Sequence, residues 1–284
     1  MRDSIYRMRK FRFSQVDVFT AVALRGNPLA VVHAAQGIGD DEMAALARWT
    51  NLSETTFLLP PKDLAADYHV RIFTPAAELP FAGHPTLGSC HAWLSGGGKP
   101  KKAGVVVQQC GVGLVRVRCD GPRLEFAAPP LKRSGPLEPE VREKIAKALG
   151  IAQSDIVHHQ WADNGPGWCA VMLRSARQVL SLKPDWAALA PLKLGVVGPH
   201  EPGHDAAFEL RAFISGGNYE DPVTGSLNAS VAQWLIGAGL AKSAYVAAQG
   251  TALQRAGRIY LRKDAEGVWV GGDVVEVVRG DIAL

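Results

Sequence analysis

Short runs in which apolar and polar residues alternate dominate the chain and predict many strands. The predicted strands are Arg12–Thr20, Leu29–His33, Thr55–Leu59, Tyr68–Thr74, Val105–Gln109, Gly113–Arg118, Ile156–Gln160, Cys169–Leu173, Ala207–Ile214, Ala244–Ala248, Arg258–Arg262 and Val274–Val278. Turn-forming pairs such as Gly165-Pro166 and Gly271-Gly272 punctuate these runs.

Two stretches carry apolar residues at helical spacing instead. The first predicted helix runs from Asp40 to about Thr50, with Asp40 or Asp41 as its N-cap and Trp49 on its apolar side. The second runs from about Glu138 to Leu149 and ends at Gly150. Strands outnumber helices and do not alternate with them one for one, which predicts an α+β fold and not a doubly wound sheet.

A sequence element recurs at about half the length of the chain. The first copy reads R-x-F at residues 71–73 and E-x-P-x-x-G at 78–83; the second reads R-x-F at 211–213 and E-x-P-x-x-G at 220–225. Each copy then enters an amphipathic stretch that ends in Trp-Leu, at residues 93–94 and 234–235. The repeat predicts a duplicated domain, with an N-terminal lobe at 1–130 and a C-terminal lobe at 131–272.

Each copy of the repeat predicts the start of a helix after a proline-containing loop. The first backbone N–H groups of a helix are unpaired, and they lie at the positive end of its dipole, so such a start can bind an anion. In the first copy we expect His84 at the cap and Pro85 at the first helical position; in the second, Thr224 or Ser226 can cap. If the two starts converge on one cleft, a small carboxylate would suit it. The alternative is a pair of ordinary capped helices.

Composition indicates a globular protein without a nucleic-acid partner. Apolar residues make up 47% of the 284 residues, and the net charge is only +4. The basic residues form two clusters, Arg7, Arg9, Lys10 and Arg12 near the start and Lys99, Lys101 and Lys102 in mid-chain. Neither cluster is interleaved with aromatic residues, as a groove that stacks bases would be.

Membrane, disulfide and metal functions are not expected either. No stretch approaches the roughly 18 uncharged apolar residues of a membrane span, and the charged opening lacks the apolar centre of a secretion signal, so we expect a cytoplasmic protein. The cysteines, Cys90, Cys110, Cys119 and Cys169, form no C-x-x-C pair. This spacing predicts neither a disulfide scaffold nor a zinc site.

Several blocks of the sequence closely resemble the phenazine-biosynthesis PhzF-like family. They are Val16–Thr20, Gly26–Val32, Asn51–Phe57, Phe73–Pro75 with Glu78–Gly88, and Glu220–Ser226, in family order across roughly residues 14 to 230. The resemblance implies the architecture of diaminopimelate epimerase: two pseudo-symmetric α+β domains, each a curled, mostly antiparallel sheet around a central helix. In that architecture the last strand, within 273–284, can return to the first domain. Family members are commonly homodimers, so we expect a homodimer.

The resemblance also implies a chemistry and a set of site residues. The implied reaction is proton transfer at carbon without a cofactor, in which a proton leaves one carbon of a small carboxylic acid and returns to another. Glu54 would be the general acid/base, and burial would have to raise its pKa from the ordinary ~4.3 toward ~6–7. The other implied residues are His84 and Asp221, which line the site, and Gly83, Gly225 and Ser226, which contact the substrate.

Two other functions remain open. An amino-acid or hydroxyproline racemase or epimerase of the same architecture uses two facing thiols, but the corresponding helix starts here hold His84 and Ser226. A non-catalytic small-molecule-binding protein of the same fold is the alternative from a different class. Each candidate also has an ordinary structural explanation: a solvated Glu54 at a strand start, an Asx turn at Asp221, and a helix cap at His84.

Overall fold

The computed structural model describes residues 8–284, so Arg7 of the first basic cluster lies outside the described residues. The strands are β1 (Lys10–Val18), β2 (Asn27–Val32), β3 (Thr55–Leu59), β4 (Tyr68–Phe73), β5 (Glu78–Leu79), β6 (Val105–Cys110), β7 (Gly113–Arg118), β8 (Leu124–Ala127), β9 (His158–Trp161), β10 (Trp168–Met172), β11 (Lys193–Pro199), β12 (Phe208–Ile214), β13 (Tyr219–Asp221), β14 (Ala244–Gln249), β15 (Gly257–Asp264), β16 (Gly267–Gly272) and β17 (Val274–Ala283). The helices are α1 (Asp40–Thr50), α2 (Gly83–Ser95), α3 (Pro139–Leu149), α4 (Ala176–Ser181), α5 (Trp186–Leu189) and α6 (Gly225–Gly237). The predicted α+β class is confirmed.

Two compact units divide the chain. Unit 1 consists of the chain up to Val18, Pro28–Leu124 and Val274–Leu284, and unit 2 consists of Phe19–Asn27 and Glu125–Asp273. Phe19–Asn27 and residues 125–130, which we expected in the N-terminal lobe, are therefore parts of unit 2. Strand β17 belongs to unit 1, where it pairs with β1 along its whole length.

Unit 1 is a mixed sheet packed on helix α2. Strands β2 and β3 are parallel, β4 is antiparallel to both β3 and β5, and β6 is parallel to β4 and antiparallel to β7. Helix α2 contacts β1, β3 and β17. It approaches the sheet so closely at Gly88 that a Cβ atom there would lie 2.5 Å from Cδ2 of Leu29. Helix α1 packs on the sheet through a separate apolar cluster that includes Met43, Phe57 and Phe73.

Unit 2 repeats this order of pairings. Strands β10 and β11 are parallel, β12 is antiparallel to both β11 and β13, and β14 is parallel to β12 and antiparallel to β15. Helix α6 contacts β15 and β16, and a Cβ atom on Gly195 of β11 would lie 2.5 Å from Cδ1 of Leu227. A cluster that includes Ile145, Val179 and Phe213 packs α3 and α4 onto the unit. The shared order of pairings supports the duplication that the sequence repeat predicts.

The repeated residues form the same ion pair in each unit. In unit 1 the guanidinium of Arg71 donates from Nε and Nη2 to the two carboxylate oxygens of Glu78, at 2.8 and 2.7 Å. In unit 2 Arg211 donates in the same way to Glu220, at 2.9 and 2.7 Å. Two parallel hydrogen bonds of this kind fix both the distance and the relative orientation of the guanidinium and the carboxylate. The pair therefore joins the first strand of each hairpin to the second, just before the chain enters α2 or α6.

Four details of the predicted helices are wrong. The N-cap of α1 is Gly39, whose N–H is bound by Glu42, so Asp40 and Asp41 lie inside the first turn. Trp49 is 82% exposed and does not lie on the apolar side of α1. Helix α2 begins at Gly83 after Ala82, so His84 is in its first turn and does not cap it. Pro85 is the third helical residue and not the first.

Several strands were not predicted, namely β5, β8, β11, β13 and β16. Gly271 and Gly272, interpreted as turn formers, are the end of β16. The reason at Gly272 is a close approach, because a Cβ atom there would lie 2.4 Å from Cδ1 of Phe19. A glycine in a strand commonly marks such a contact.

We predict that the two ion pairs contribute unequally to stability. Arg211 and Glu220 are both 7% exposed, whereas Arg71 and Glu78 are 21% and 42% exposed. Arg211→Met would leave a buried carboxylate without its partner, which costs about 3–5 kcal/mol. Arg71→Met should cost about 0–1 kcal/mol because water screens the pair. Urea unfolding of both variants tests this, and equal losses would contradict it.

Candidate functional site

Glu54 lies where the chain passes from α1 into β3. Helix α1 ends at Asn51 in the left-handed conformation, and Thr50 and Thr55 share a hydrogen bond of 2.8 Å between their hydroxyls. Thr55 then pairs with neighbouring strands on both sides. The residue before it is therefore held at the end of a strand inside the sheet. The Glu54 side chain is 14% exposed, so it is mostly removed from water but still accessible.

His84, in the first turn of α2, faces this carboxylate. Its Nε2 atom lies 3.4 Å from Oε2 of Glu54, and its side chain is 5% exposed. Burial lowers the pKa of His84 from 6.5 to about 3, although a hydrogen bond to the backbone of Pro28 acts in the opposite direction. The imidazole is therefore neutral near pH 7.

The hydrogen bond to Pro28 also determines which ring nitrogen of His84 carries the proton. Proline has no backbone N–H, so its backbone partner is the carbonyl, which only accepts. Among residues 8–284, Nε2 of His84 has no hydrogen-bond partner. The bond to Pro28 therefore involves Nδ1, which donates its hydrogen. A neutral imidazole has only one N–H, so Nε2 presents its lone pair toward Glu54.

A series of buried hydrogen bonds holds the start of α2 in place. The hydroxyl of Thr86 donates to the carbonyl of Ala82 at 2.9 Å and accepts from Nε2 of Gln108 at 3.0 Å. The other end of the Gln108 amide accepts from the Tyr68 hydroxyl at 2.8 Å. These contacts fix the first turn, in which Gly83 is buried.

Asp221 ends β13 in unit 2 and is 8% exposed. Its Oδ1 accepts from Nδ2 of Asn27 at 3.1 Å, and its Oδ2 accepts from the hydroxyl of Thr224 at 2.5 Å. Thr224 is the N-cap residue of α6, but its side chain makes no capping bond. Its hydroxyl donates to Asp221 instead. Both carboxylate oxygens are thus held by donors.

Gln249 fixes the direction of this network. Its Oε1 accepts from the backbone N–H of Thr224 at 3.0 Å, so its Nε2 must be the donor. Nε2 donates to the Thr224 hydroxyl at 2.9 Å and to the Asp221 carbonyl at 3.1 Å. The Thr224 hydroxyl is therefore free to direct its own hydrogen to the Asp221 carboxylate.

Ser226 lies in the first turn of α6, after the buried residue Gly225. Its hydroxyl oxygen accepts from Nε1 of Trp168 at 3.0 Å, and its carbonyl accepts from Nδ2 of Asn164 at 2.9 Å. Because the indole N–H can only donate, the hydrogen of the Ser226 hydroxyl remains available for another acceptor. The first N–H groups of α6 have no partner within the helix.

The described structure therefore places the predicted residues in two sets. Glu54, His84 and Gly83 come together in unit 1, and Asp221, Gly225 and Ser226 come together in unit 2. The ordinary explanation of His84 as a cap is excluded, and Glu54 is not a fully solvated strand end.

The chain matches the family described as phenazine biosynthesis-like protein over residues 16–280. It belongs to this family. Antisense-enhancing sequence 1 of Schizosaccharomyces pombe is 35% identical, covering 96% of this chain and 99% of that protein. A Mesorhizobium japonicum protein named an uncharacterized isomerase is 34% identical over 94% of this chain and 97% of its own.

The fold of this PhzF-family chain also occurs in a solved structure. The crystal structure of a phenazine biosynthesis protein of the PhzF family from Enterococcus faecalis matches with a TM-score of 0.81 and 24% identity. The match covers 97% of this chain and all of that one. No helix within residues 8–284 is both long and apolar enough to cross a membrane.

Sequence reasoning missed most of the residues that hold this family site in place: Asn27, Pro28, Asn164, Trp168 and Gln249. Asn27 and Pro28 lay within a block that resembles the family, but their roles depend on contacts with residues far away in the chain. Asn27 and Asp221, for example, are 194 residues apart. Trp168 and Asn164 lay in no such block, and nothing local marked them.

We predict that His84 stays neutral, with its proton on Nδ1, from pH 8 down to about pH 4, one unit above its pKa of about 3. Nitrogen-15 NMR of the histidine ring measures this, and titration of His84 near pH 6.5 would contradict it. Because the folded pKa is below the unfolded value, the contribution of His84 to stability is full above pH 6.5. It is lost as pH falls toward 3.

Proposed function

We propose that the protein is a cofactor-independent isomerase that moves a proton between carbon atoms of a small carboxylic acid, with Glu54 as general acid/base. The observation that carries the proposal is the pairing of the mostly buried Glu54 carboxyl group with the neutral His84, 3.4 Å from Oε2 to Nε2. The family membership and the isomerase name of the Mesorhizobium japonicum relative support the reaction class.

The two protonation states of Glu54 have different uses in this mechanism. As a carboxylate, Glu54 removes a proton from one carbon of the substrate, and the electron pair left behind spreads onto the neighbouring unsaturated system. As a carboxylic acid, Glu54 holds that proton and returns it to another carbon, which shifts the double bond. Proton number and charge are the same before and after, so no oxidant or reductant is needed.

His84 suits the protonated state of Glu54. A lone pair at Nε2 can accept a hydrogen bond from the carboxylic acid, whereas it repels the carboxylate. The pair therefore favours retention of the abstracted proton at Oε2 until the second carbon receives it. A separation of 3.4 Å is longer than a hydrogen bond, and catalytic hydrogen bonds often shorten only when substrate is bound.

Unit 2 supplies the groups that we assign to substrate binding. The N–H groups of Gly225 and Ser226, which have no partner within the helix, suit a carboxylate at the start of α6 together with the Ser226 hydroxyl. The Asp221 carboxylate, held by Asn27 and Thr224, suits a donor group of the substrate such as an amine or a hydroxyl.

A two-thiol racemase mechanism fits this chain poorly. None of the cysteines lies at the start of α2 or α6. Burial raises the pKa of Cys169 to about 12 and that of Cys90 still further. Thiols of this kind are almost entirely protonated at neutral pH and are poor bases.

The test of the proposal is exchange of solvent deuterium into carbon. Unsaturated cyclic acids and α-amino acids, including cyclohex-1-ene carboxylate and trans-4-hydroxy-L-proline, are incubated with enzyme in D₂O and followed by proton NMR. Glu54→Gln should lower the exchange rate about 100-fold or more, the usual size of general acid–base catalysis. The exposed Glu143 on α3 provides the matched control, and Glu143→Gln should exchange at the wild-type rate.

Near wild-type exchange by a folded Glu54→Gln variant would remove Glu54 from this role. Acids that raise the melting temperature without any exchange would favour the non-catalytic binding protein instead.

We further predict that Ser226→Ala weakens substrate binding more than turnover. The substitution removes one hydroxyl donor but leaves the backbone N–H groups of α6 in place. KM should rise about tenfold, the equivalent of one hydrogen bond to a charged group, while kcat changes little. Steady-state kinetics on an acid that exchanges provides the measurement, and an unchanged KM would contradict the assignment.

A further inference from the structure

Asn27 is a fully buried residue that connects two distant parts of unit 2. It ends the segment Phe19–Asn27, and its Nδ2 donates to Oδ1 of Asp221 at 3.1 Å and to the carbonyl of Val223 at 2.9 Å. The amide nitrogen therefore contacts both the carboxylate and the backbone that leads into α6. A single side chain holds two elements of the candidate site.

The orientation of the Asn27 amide follows from its partners. Both partners are oxygen acceptors, so the nitrogen must face them and Oδ1 must point away. Among residues 8–284, Oδ1 of Asn27 has no hydrogen-bond partner. A buried amide that leaves its oxygen unsatisfied is unfavourable for stability, and such groups call for an explanation other than packing. The described contacts of this amide all serve Asp221 and its connection to α6.

Asn27 and Thr224 hold the Asp221 carboxylate at opposite oxygens. Thr224 binds Oδ2, and the Gln249 amide fixes the direction of that hydroxyl, as described above. Asn27 binds Oδ1. With both oxygens held, rotation of the carboxylate plane is restricted. Without Asn27, Oδ1 would lose this donor, and one of the restraints on the plane would be gone.

We propose that Asn27 is a positioning residue that orients the Asp221 carboxylate for the substrate. The inference rests on the proposed function only in giving Asp221 a substrate to bind. The orientation of the carboxylate itself is a property of the free protein. It can therefore be measured whether or not a substrate is known.

The first experiment follows the side-chain carboxyl signal of Asp221 by NMR in protein labelled with [γ-¹³C]aspartate, assigned with Asp221→Asn. In Asn27→Leu, which keeps the branching of the side chain but removes the donor, the midpoint of the titration should rise by about one pH unit. Asn27→Asp should raise it further, because it places a second carboxylate beside the first.

The control is Ser215→Ala, in the same unit. Ser215 is buried and donates to the carbonyl of Leu192 at 2.7 Å, without a described contact to any candidate site residue. This variant should leave the Asp221 midpoint unchanged. Equal midpoints in wild type, Asn27→Leu and Asn27→Asp would overturn the proposal, and so would an equal shift in Ser215→Ala. If Asn27→Leu fails to fold, Asn27→Ala, which also removes the donor and adds no charge, decides.

The second experiment asks whether Asn27 acts through Asp221. With an acid that exchanges deuterium, Asn27→Leu should lower kcat/KM about tenfold or more in the wild-type background. In the Asp221→Ala background it should lower kcat/KM no further, because the group that it positions is gone. Equal, additive losses in both backgrounds would indicate a structural role and overturn the proposal.

The two experiments also separate this inference from the proposed function. If no acid exchanges but the Asp221 midpoint shifts as expected, the isomerase proposal fails and the positioning role stands. If exchange depends on Glu54 but the Asp221 titration midpoint is the same in wild type and in the Asn27 variants, the positioning role alone is refuted.

Discussion

A forked ion pair between a strand arginine and a hairpin glutamate joins the two strands that precede each central helix. Arg71 holds Glu78 in unit 1 and Arg211 holds Glu220 in unit 2, with nearly equal distances. Each pair closes a short hairpin, and the chain leaves that hairpin directly into α2 or α6. The candidate groups at both helix starts depend on this closure, since a shift of the hairpin would move the first turn. The repeated sequence motif therefore corresponds to a repeated structural contact, an ion pair that joins two strands in each unit.

Burial gives the two sets of candidate residues different chemical characters. In unit 1, burial keeps His84 neutral and leaves a lone pair facing Glu54. This lone pair can accept a hydrogen bond from Glu54 when the carboxyl group is protonated. In unit 2, a chain of donors ending at Asp221 leaves that carboxylate as an acceptor. The proposed proton transfer uses the groups of unit 1, and the proposed substrate binding uses those of unit 2.

Local patterns predicted the elements that local residues determine. Strand β3 has the predicted bounds, Thr55–Leu59, and the second predicted helix ends at Gly150 as expected. The glycine-containing strands β11 and β16 were missed because glycine locally indicates a turn, although each of these strands pairs with a neighbour in the chain. The candidate site residues also divide into those that a local motif indicates and those that it does not. Glu54 and His84 were recognisable from motifs, whereas the role of Asn27 depends on a contact across 194 residues that no local pattern reveals.

Strand β17 gives the chain an unusual order of completion. It pairs with β1 from Lys10 to Val18, and the Ser14 hydroxyl donates to Glu276 at 2.8 Å. Every residue of unit 2 precedes β17 in the chain. During translation, unit 2 is therefore fully synthesised first, although unit 1 contains the earlier residues. A nascent chain interrupted before Val274 would contain Glu54 and His84 but would lack the strand that pairs with β1, so the sheet of unit 1 is completed last.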